Sequence, residues 1–330
     1  MKRFTIPVLI LFSFAALSLI AGLIWWKINT SSVSDSGEKI EVVIPKGRSA
    51  EQIAEILYEN KLIKSTLAFK IYVQFYDKQN SLKAGEFQLS PNMNLSELLD
   101  SMGGGPSQVW VTIQEGLRRE EYPDKFIEGL GLNTSEAITF RSEFLSLTAD
   151  KEGYLFPDTY LLPPDINTEK VVNLLLSTFE KRYNSIDSSS TLTRAEVVSL
   201  ASILERETRT KAERPMVAGI YFNRLDAGMP LQTDASVQYV LGTSNCTGKA
   251  ECNWWPTINR THYELDSPYN TYQNTGIPPK PISNPGLSSL EAVLNPSDNS
   301  FYYYVHDDSG NVYYAETLDE HNANVTRYLR

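Results

Sequence analysis

Cysteine and histidine are scarce in this chain, two and three of 330 residues. Zinc and iron-sulfur sites draw on those side chains, so neither a metal nor a cofactor is expected. Positive charge is short as well: 30 Lys and Arg stand against 40 Asp and Glu, a net charge of -10. A surface that neutralises phosphates needs clustered excess Lys and Arg, and nucleic acid is excluded as a partner on that ground. There is no G-x-S-x-G elbow, and His262, His306 and His321 lie in loop-like or terminal sequence, which leaves little for a Ser or Cys hydrolase. Carboxylates, amides and hydroxyls remain for any chemistry. With 42% hydrophobic and 21% charged residues, the chain can bury two ordinary cores.

The longest absence is of charge, from Phe4 to Trp26. At about 1.5 Å per residue such a run spans the roughly 30 Å hydrocarbon core, so it reads as a single transmembrane helix. Lys2 and Arg3 precede it, Trp25, Trp26 and Lys27 make an interfacial end, and the first acids follow at Asp35 and Glu38. The positive-inside bias then keeps the N-terminus in the cytoplasm and the body outside the cytoplasmic membrane. The run is longer than a signal-peptide core, which favours an uncleaved anchor. Cys246 and Cys252 lie close together in the polar stretch T-S-N-C-T-G-K-A-E-C-N, outside by this topology, where a loop-closing disulfide is expected over a metal site.

The pattern predicts an α+β protein with a cytoplasmic tail at 1–3, the membrane helix at 4–26 and a Ser-rich linker at 27–38. An α/β module follows at 39–106, then a connecting subdomain at 107–160 and a mixed catalytic domain at 161–330. In the module, the run K-I-E-V-V-I-P-K at 39–46 alternates as a half-buried strand does and ends at Pro45 and Gly47. Ser49 caps a helix carrying Ile53, Ile56 and Leu57, a second helix falls near 66–77, a strand near Gly85–Leu89, and a last helix starts at Asn94. That order resembles a LysM-like module, a small glycan-binding fold. V-W-V-T-I at 109–113 reads as a strand, and E-G-Y-L-F-P-D-T-Y at 152–160 as an ordered loop.

Thr193 followed by Glu196 is a capping box that opens the helix T-R-A-E-V-V-S-L-A-S-I-L-E-R-E-T. Steps of 100° put Val197, Leu200, Ala201 and Leu204 on the buried stripe, Ser199 and Arg206 opposite, and Glu205 and Glu207 on its two shoulders. A carboxyl beside apolar side chains loses solvation of its charged form and can hold a proton near neutral pH, as a general acid must. Periodicity does not choose between the two glutamates. Amides, hydroxyls and aromatics then recur in Y-F-N-R-L-D-A-G-M-P-L-Q-T-D and D-S-P-Y-N-T-Y, side chains that read sugar hydroxyls and stack on sugar faces.

These segments, with E-G-Y-L-F-P-D-T-Y, L-A-S-I-L-E-R-E-T, G-I-P-P-K-P-I-S-N-P-G and L-N-P, resemble in order the membrane-anchored endolytic murein transglycosylases of the YceG-like family. The resemblance implies cleavage of the MurNAc-GlcNAc bond of nascent peptidoglycan with 1,6-anhydro ends, limiting glycan strand length. It implies peptidoglycan strands and cell-wall synthases as partners. It also implies Glu205 as catalytic acid/base, with Glu207 as a supporting residue; Asn223, Arg224, Gln232, Asp234, Tyr269, Asn270 and Tyr272 are the candidates, with Glu207, to bind and orient the sugar. This chain departs from the pattern in an enlarged Cys246–Trp255 loop and in Lys280 where glycine is usual. The competing class is a non-enzymatic, membrane-tethered glycan-binding scaffold.

Overall fold

The computed structural model describes residues 5–79, 82–188, 190–247 and 252–329, with backbone alone over 5–12. The chain divides into two compact units: Met1–Val111 with Tyr160–Asp165, and Thr112–Thr159 with Ile166–Arg330. Helices and small antiparallel sheets mix in an α+β architecture.

The first unit opens with helix α1, Thr5–Thr30. From Ser13 onward, where its side chains are described, Phe14, Leu17, Leu19, Ile20, Leu23 and Ile24 are each more than half exposed. Among the described residues no helix is long and apolar enough to cross a membrane, and Lys2, Arg3 and Phe4 lie outside the described residues. The stretch after α1 is fastened down: the Val33 and Ser34 amides donate to the Pro91 carbonyl at 3.0 and 3.1 Å. Strand β1, Ile40–Ile44, buries Val42 and Ile44 and turns Glu41 and Val43 outward. It pairs antiparallel with β2, Gly85–Leu89, in the register Val42 to Phe87. Between them lie α2, Ala50–Glu59, and α3, Thr66–Phe75. After β2 comes α4, Leu95–Gly103. Reciprocal capping boxes at Ser49/Gln52 and Asn94/Glu97 satisfy the first amides of α2 and α4 and fix where each begins. Ile53, Leu57, Phe69, Phe87, Leu89 and Leu98 close one core. Gly85 cannot be replaced without rearrangement, since a Cβ there would lie 2.3 Å from the Gln108 carbonyl oxygen.

Strand β3, Val109–Thr112, pairs with β4, Thr159–Leu162. The 152–160 stretch expected as a loop therefore ends in a strand, whose partner lies far back in the chain.

The second unit carries α5 (Tyr122–Leu130), α6 (Thr134–Leu147), α7 (Thr168–Tyr183), α8 (Arg194–Glu207), α9 (Arg214–Asp226) and α10 (Asp234–Cys246). A short 3-10 turn at Arg260–Glu264, α11 (Leu287–Leu294), the hairpin β5 (Tyr303–His306) and β6 (Val312–Ala315), and α12 (Leu318–Tyr328) complete it. Its core gathers around α8, where every residue from Val197 to Glu205 is buried. Ser199, expected opposite the buried stripe, is only 2% exposed. Its hydroxyl donates to the carbonyls of Pro278 and Lys280 at 2.9 and 3.3 Å, a polar wall that apolar periodicity does not register.

Candidate active site

Thr193 caps α8 through the Thr193/Glu196 box, and the helix carries both glutamates in its last turn. Ser199, Ser202 and Glu205, three residues apart, lie along one face. The 278–289 segment lies against that face. Ser202 accepts the Ile282 amide at 3.0 Å, the Ser283 hydroxyl donates to the Ser202 carbonyl at 2.9 Å, and the Gly286 amide donates to Glu205 Oε2 at 3.0 Å. The same oxygen accepts the Ser289 hydroxyl at 2.8 Å, and Oε1 accepts Arg214 Nη2 at 2.5 Å. Both side chains of this pair are closed from solvent, at 5% and 6% exposure. Burial pushes the Glu205 carboxyl up, against the pull of Arg214 and the Gly286 amide. Glu205 is thus a fully partnered carboxyl inside the protein.

Glu207, two residues on, turns the other way. Its Oε1 accepts the Ala235 amide at 2.8 Å, in the first turn of α10, and its Oε2 accepts the Tyr304 hydroxyl at 3.3 Å. Burial raises its carboxyl to about 7, outweighing the Ala235 amide, which favours the anion. Glu207 lines a cavity of about 480 Å³, an ordinary size for a ligand site. Arg224, Gln232, Asp234 and Tyr272 line the same cavity.

The local folding reasons are visible. Arg224 donates to the carbonyls of Tyr302 and Leu231 at 2.6 and 2.7 Å, so its guanidinium fastens the M-P-L-Q-T-D segment to the strand region. The Gln232 amide donates to the Thr271 carbonyl at 3.0 Å, and the Thr233 amide to the Thr271 hydroxyl at 2.9 Å, which joins L-Q-T-D to N-T-Y. Gln232 itself sits at φ +51°, a left-handed conformation that a non-glycine residue holds only where its surroundings enforce it. The Tyr272 hydroxyl donates to Asp234 Oδ1 at 2.8 Å, and its ring stacks on Tyr263 at 4.1 Å.

Three expected sugar contacts lie elsewhere. Asn223 donates to the carbonyls of Asn299 and Phe301, both at 2.9 Å. Asn270, fully buried, donates to the carbonyls of Tyr263 and Leu265 and accepts the Tyr272 amide. The Tyr269 ring meets that of Tyr239 at 4.9 Å in a tilted arrangement and packs against the core. Asn223 and Asn270 hold backbone, Tyr269 packs, and none of the three lines the cavity. The sequence reading missed Tyr263, Tyr303, Tyr304 and His321, which do line it, together with Leu318, Val325 and Leu329 from α12 or just past its end. The run F-Y-Y-Y at 301–304 was the available signal, but strand alternation would turn Tyr303 and Tyr304 to opposite faces, whereas both line the cavity.

Cys246 and Cys252 are joined by a disulfide. Among the described residues, no group of three or more His, Cys, Asp or Glu side chains is placed to hold a metal ion.

Comparison with known proteins finds relatives along most of the chain. An endolytic murein transglycosylase of Bacillus subtilis is 31% identical over 89% of this chain and 86% of its own length. Another of Streptococcus pneumoniae is 28% identical over 90% of this chain, which spans 59% of that longer protein. A crystal structure of a YceG-like protein from Listeria monocytogenes matches with a TM-score of 0.57 and 30% identity, over 87% of this chain and 99% of that one. The YceG-like family model matches residues 42–327, and the chain belongs to that family.

Proposed function

We propose that this protein is an endolytic murein transglycosylase, a lytic enzyme that cuts peptidoglycan strands internally, and that Glu207 is its acid and base. The observation that carries the assignment is the position of the Glu207 carboxyl, raised to about 7, in a cavity lined by Gln232, Asp234 and tyrosines. Such a group holds its proton near neutral pH and can still lose it. Glu205, the acid expected from the family motif, has every near neighbour engaged and is absent from the residues lining that cavity. We assign it instead a positioning role, tying the end of α8 to Arg214 and α11.

Protonated Glu207 gives its proton to the oxygen between MurNAc and GlcNAc, and the bond from that oxygen to C1 breaks. The carboxylate left behind takes the proton of the MurNAc 6-hydroxyl as O6 bonds to C1. The product is a 1,6-anhydro end, no water is consumed, and Glu207 returns to its acid form. One carboxyl suffices because the nucleophile belongs to the substrate, whereas hydrolysis normally engages two carboxyls. Gln232, Asp234 and Tyr272 orient the sugar.

Residues 4–26 are the anchor in this reading, with the N-terminus inside and the enzyme beyond the cytoplasmic membrane. The uncharged run, the apolar side chains exposed all round α1, and a disulfide suited to an oxidising compartment support it. The β1-α2-α3-β2 order supports a LysM-like glycan-binding role for 39–106. Nascent strands and their synthases are the partners that such a location implies. Incubating the purified protein with intact peptidoglycan tests the reading against a non-enzymatic scaffold: the enzyme releases soluble anhydro-ended fragments, and a scaffold releases none.

A further inference from the structure

Just past the Cys246–Cys252 disulfide, Trp254 and Trp255 build an aromatic platform beside the last turn of α8. The Trp254 ring lies over the Arg118 guanidinium at 4.6 Å, and that guanidinium lies over Tyr239 at 4.2 Å, a three-layer stack around an arginine only 1% exposed. Arg118 is further fixed by donating to the Thr243 hydroxyl at 2.9 Å. The backbone of Trp254 sits so close to α10 that a Cβ at Gly242 would come within 2.1 Å of its carbonyl oxygen. Trp255 lies against the Arg206 guanidinium at 3.9 Å and donates its indole N-H to Glu121 at 3.1 Å. The two tryptophans are therefore anchored on four sides.

Trp254 also lines a cavity of about 570 Å³ with Gln114, Leu117, Glu121, Asp124 and Lys125. It is comparable in size to the Glu207 cavity and shares no lining residue with it. Glu207, at the end of α8, lines the first, and no residue of α8 lines the second. The 114–117 loop that floors the second cavity crosses that end, and at Gly116 a Cβ would meet Arg206 Cδ at 3.2 Å and Glu205 Cγ at 3.4 Å. Arg206, held by Trp255, is the residue between the two glutamates.

An indole face rimmed by a side-chain amide, carboxylates and an ammonium matches the chemistry of an amino sugar, an apolar ring face with hydroxyl and acetamido edges. An enzyme that cuts inside a strand must hold sugars away from the scissile bond, and remote binding energy of this kind positions the reacting centre. We propose that this cavity is a second saccharide subsite, which takes the N-acetylated glycan strand beyond the Glu207 cavity. The inference rests on the reading of the protein as a glycan-cutting enzyme.

The test is titration of the full chain with a hexamer of N-acetylglucosamine, followed by calorimetry and by acrylamide quenching of tryptophan fluorescence. The variants are Trp254→Ala and the rim double variant Gln114→Ala/Lys125→Ala, which leaves the Arg118 stack whole. The subsite predicts binding that shields tryptophan from acrylamide and an affinity at least about fivefold lower in the rim variant. Unchanged affinity in the folded rim variant, or no binding by the wild type, overturns it. So does shielding by a stem-pentapeptide probe in place of the hexamer, which would make the cavity a peptide groove. Failure of the functional reading looks different: the wild type then leaves intact peptidoglycan uncut, whatever the hexamer does.

Discussion

At the scale of single residues, two glutamates separated by one position have opposite surroundings. Glu205 meets a guanidinium, an amide and a hydroxyl inside the protein, and Glu207 meets an amide, a phenol and a cavity. Glu205→Gln leaves Arg214 buried with Glu115, at 3.6 Å, as its remaining anion. Breaking a buried pair from one side costs about 3 kcal/mol, so this variant unfolds at clearly lower urea concentration than the wild type. On the proposed assignment, Glu207 governs pH dependence instead. The acid form starts the reaction, and with the carboxyl raised to about 7 the value of kcat/KM falls as pH climbs through that value, about tenfold per unit above it. A profile flat from pH 6 to 9 contradicts the assignment. The sequence brought both carboxyls to the end of one helix with correct capping, yet the difference in their surroundings is made by Arg214, Ser289, Ala235 and Tyr304, none of which helical periodicity can place.

At the scale of elements, what was legible followed from local chemistry. The capping boxes at Ser49, Asn94 and Thr193 mark their helices because cap and partner are three residues apart. The alternation in I-E-V-V-I marks β1 for the same reason of short range. Strand β4 was not legible, since its pairing with β3 is set by residues such as Thr112 and Thr159, whose hydroxyls meet at 3.2 Å across 47 positions. The polar face of α8 was also hidden, because Ser199 and Ser202 are buried only through the 278–283 segment that caps them. Helix α9 offers a test of close packing. A Cβ at Gly219 would lie 2.2 Å from the Ser297 carbonyl oxygen, so Gly219→Ala forces backbone to move and lowers stability by about 1–3 kcal/mol, read from denaturant midpoints. A variant as stable as the wild type would show that this approach is loose in solution.

At the scale of the whole molecule, the amino-terminal run and the enzyme answer different needs. Every residue assigned to the chemistry lies in Thr112–Thr159 and Ile166–Arg330, whereas the apolar run lies in the other unit. A chain with residues 1–27 removed is therefore expected to cleave isolated peptidoglycan at close to the full rate. It is expected to fail in cells, where glycan strands lengthen because cutting is no longer held where new strands emerge. Strand-length distributions from cells carrying either form at matched abundance check this, and identical distributions would remove the anchor from the account. The two cores expected from composition are both present, one in each unit. The F-Y-Y-Y run, the β5-β6 hairpin and α12 contribute cavity walls that composition could not assign, because their role arises only when they close over Glu207.

The most direct test is digestion of intact peptidoglycan by the wild type, Glu207→Gln and Glu205→Gln, each verified as folded, with the released fragments weighed by mass spectrometry. The account predicts wild-type fragments lighter by one water than hydrolysed ends, the same fragments in reduced yield from Glu205→Gln, and none from Glu207→Gln. Undiminished release by Glu207→Gln, with release lost in Glu205→Gln, would contradict it.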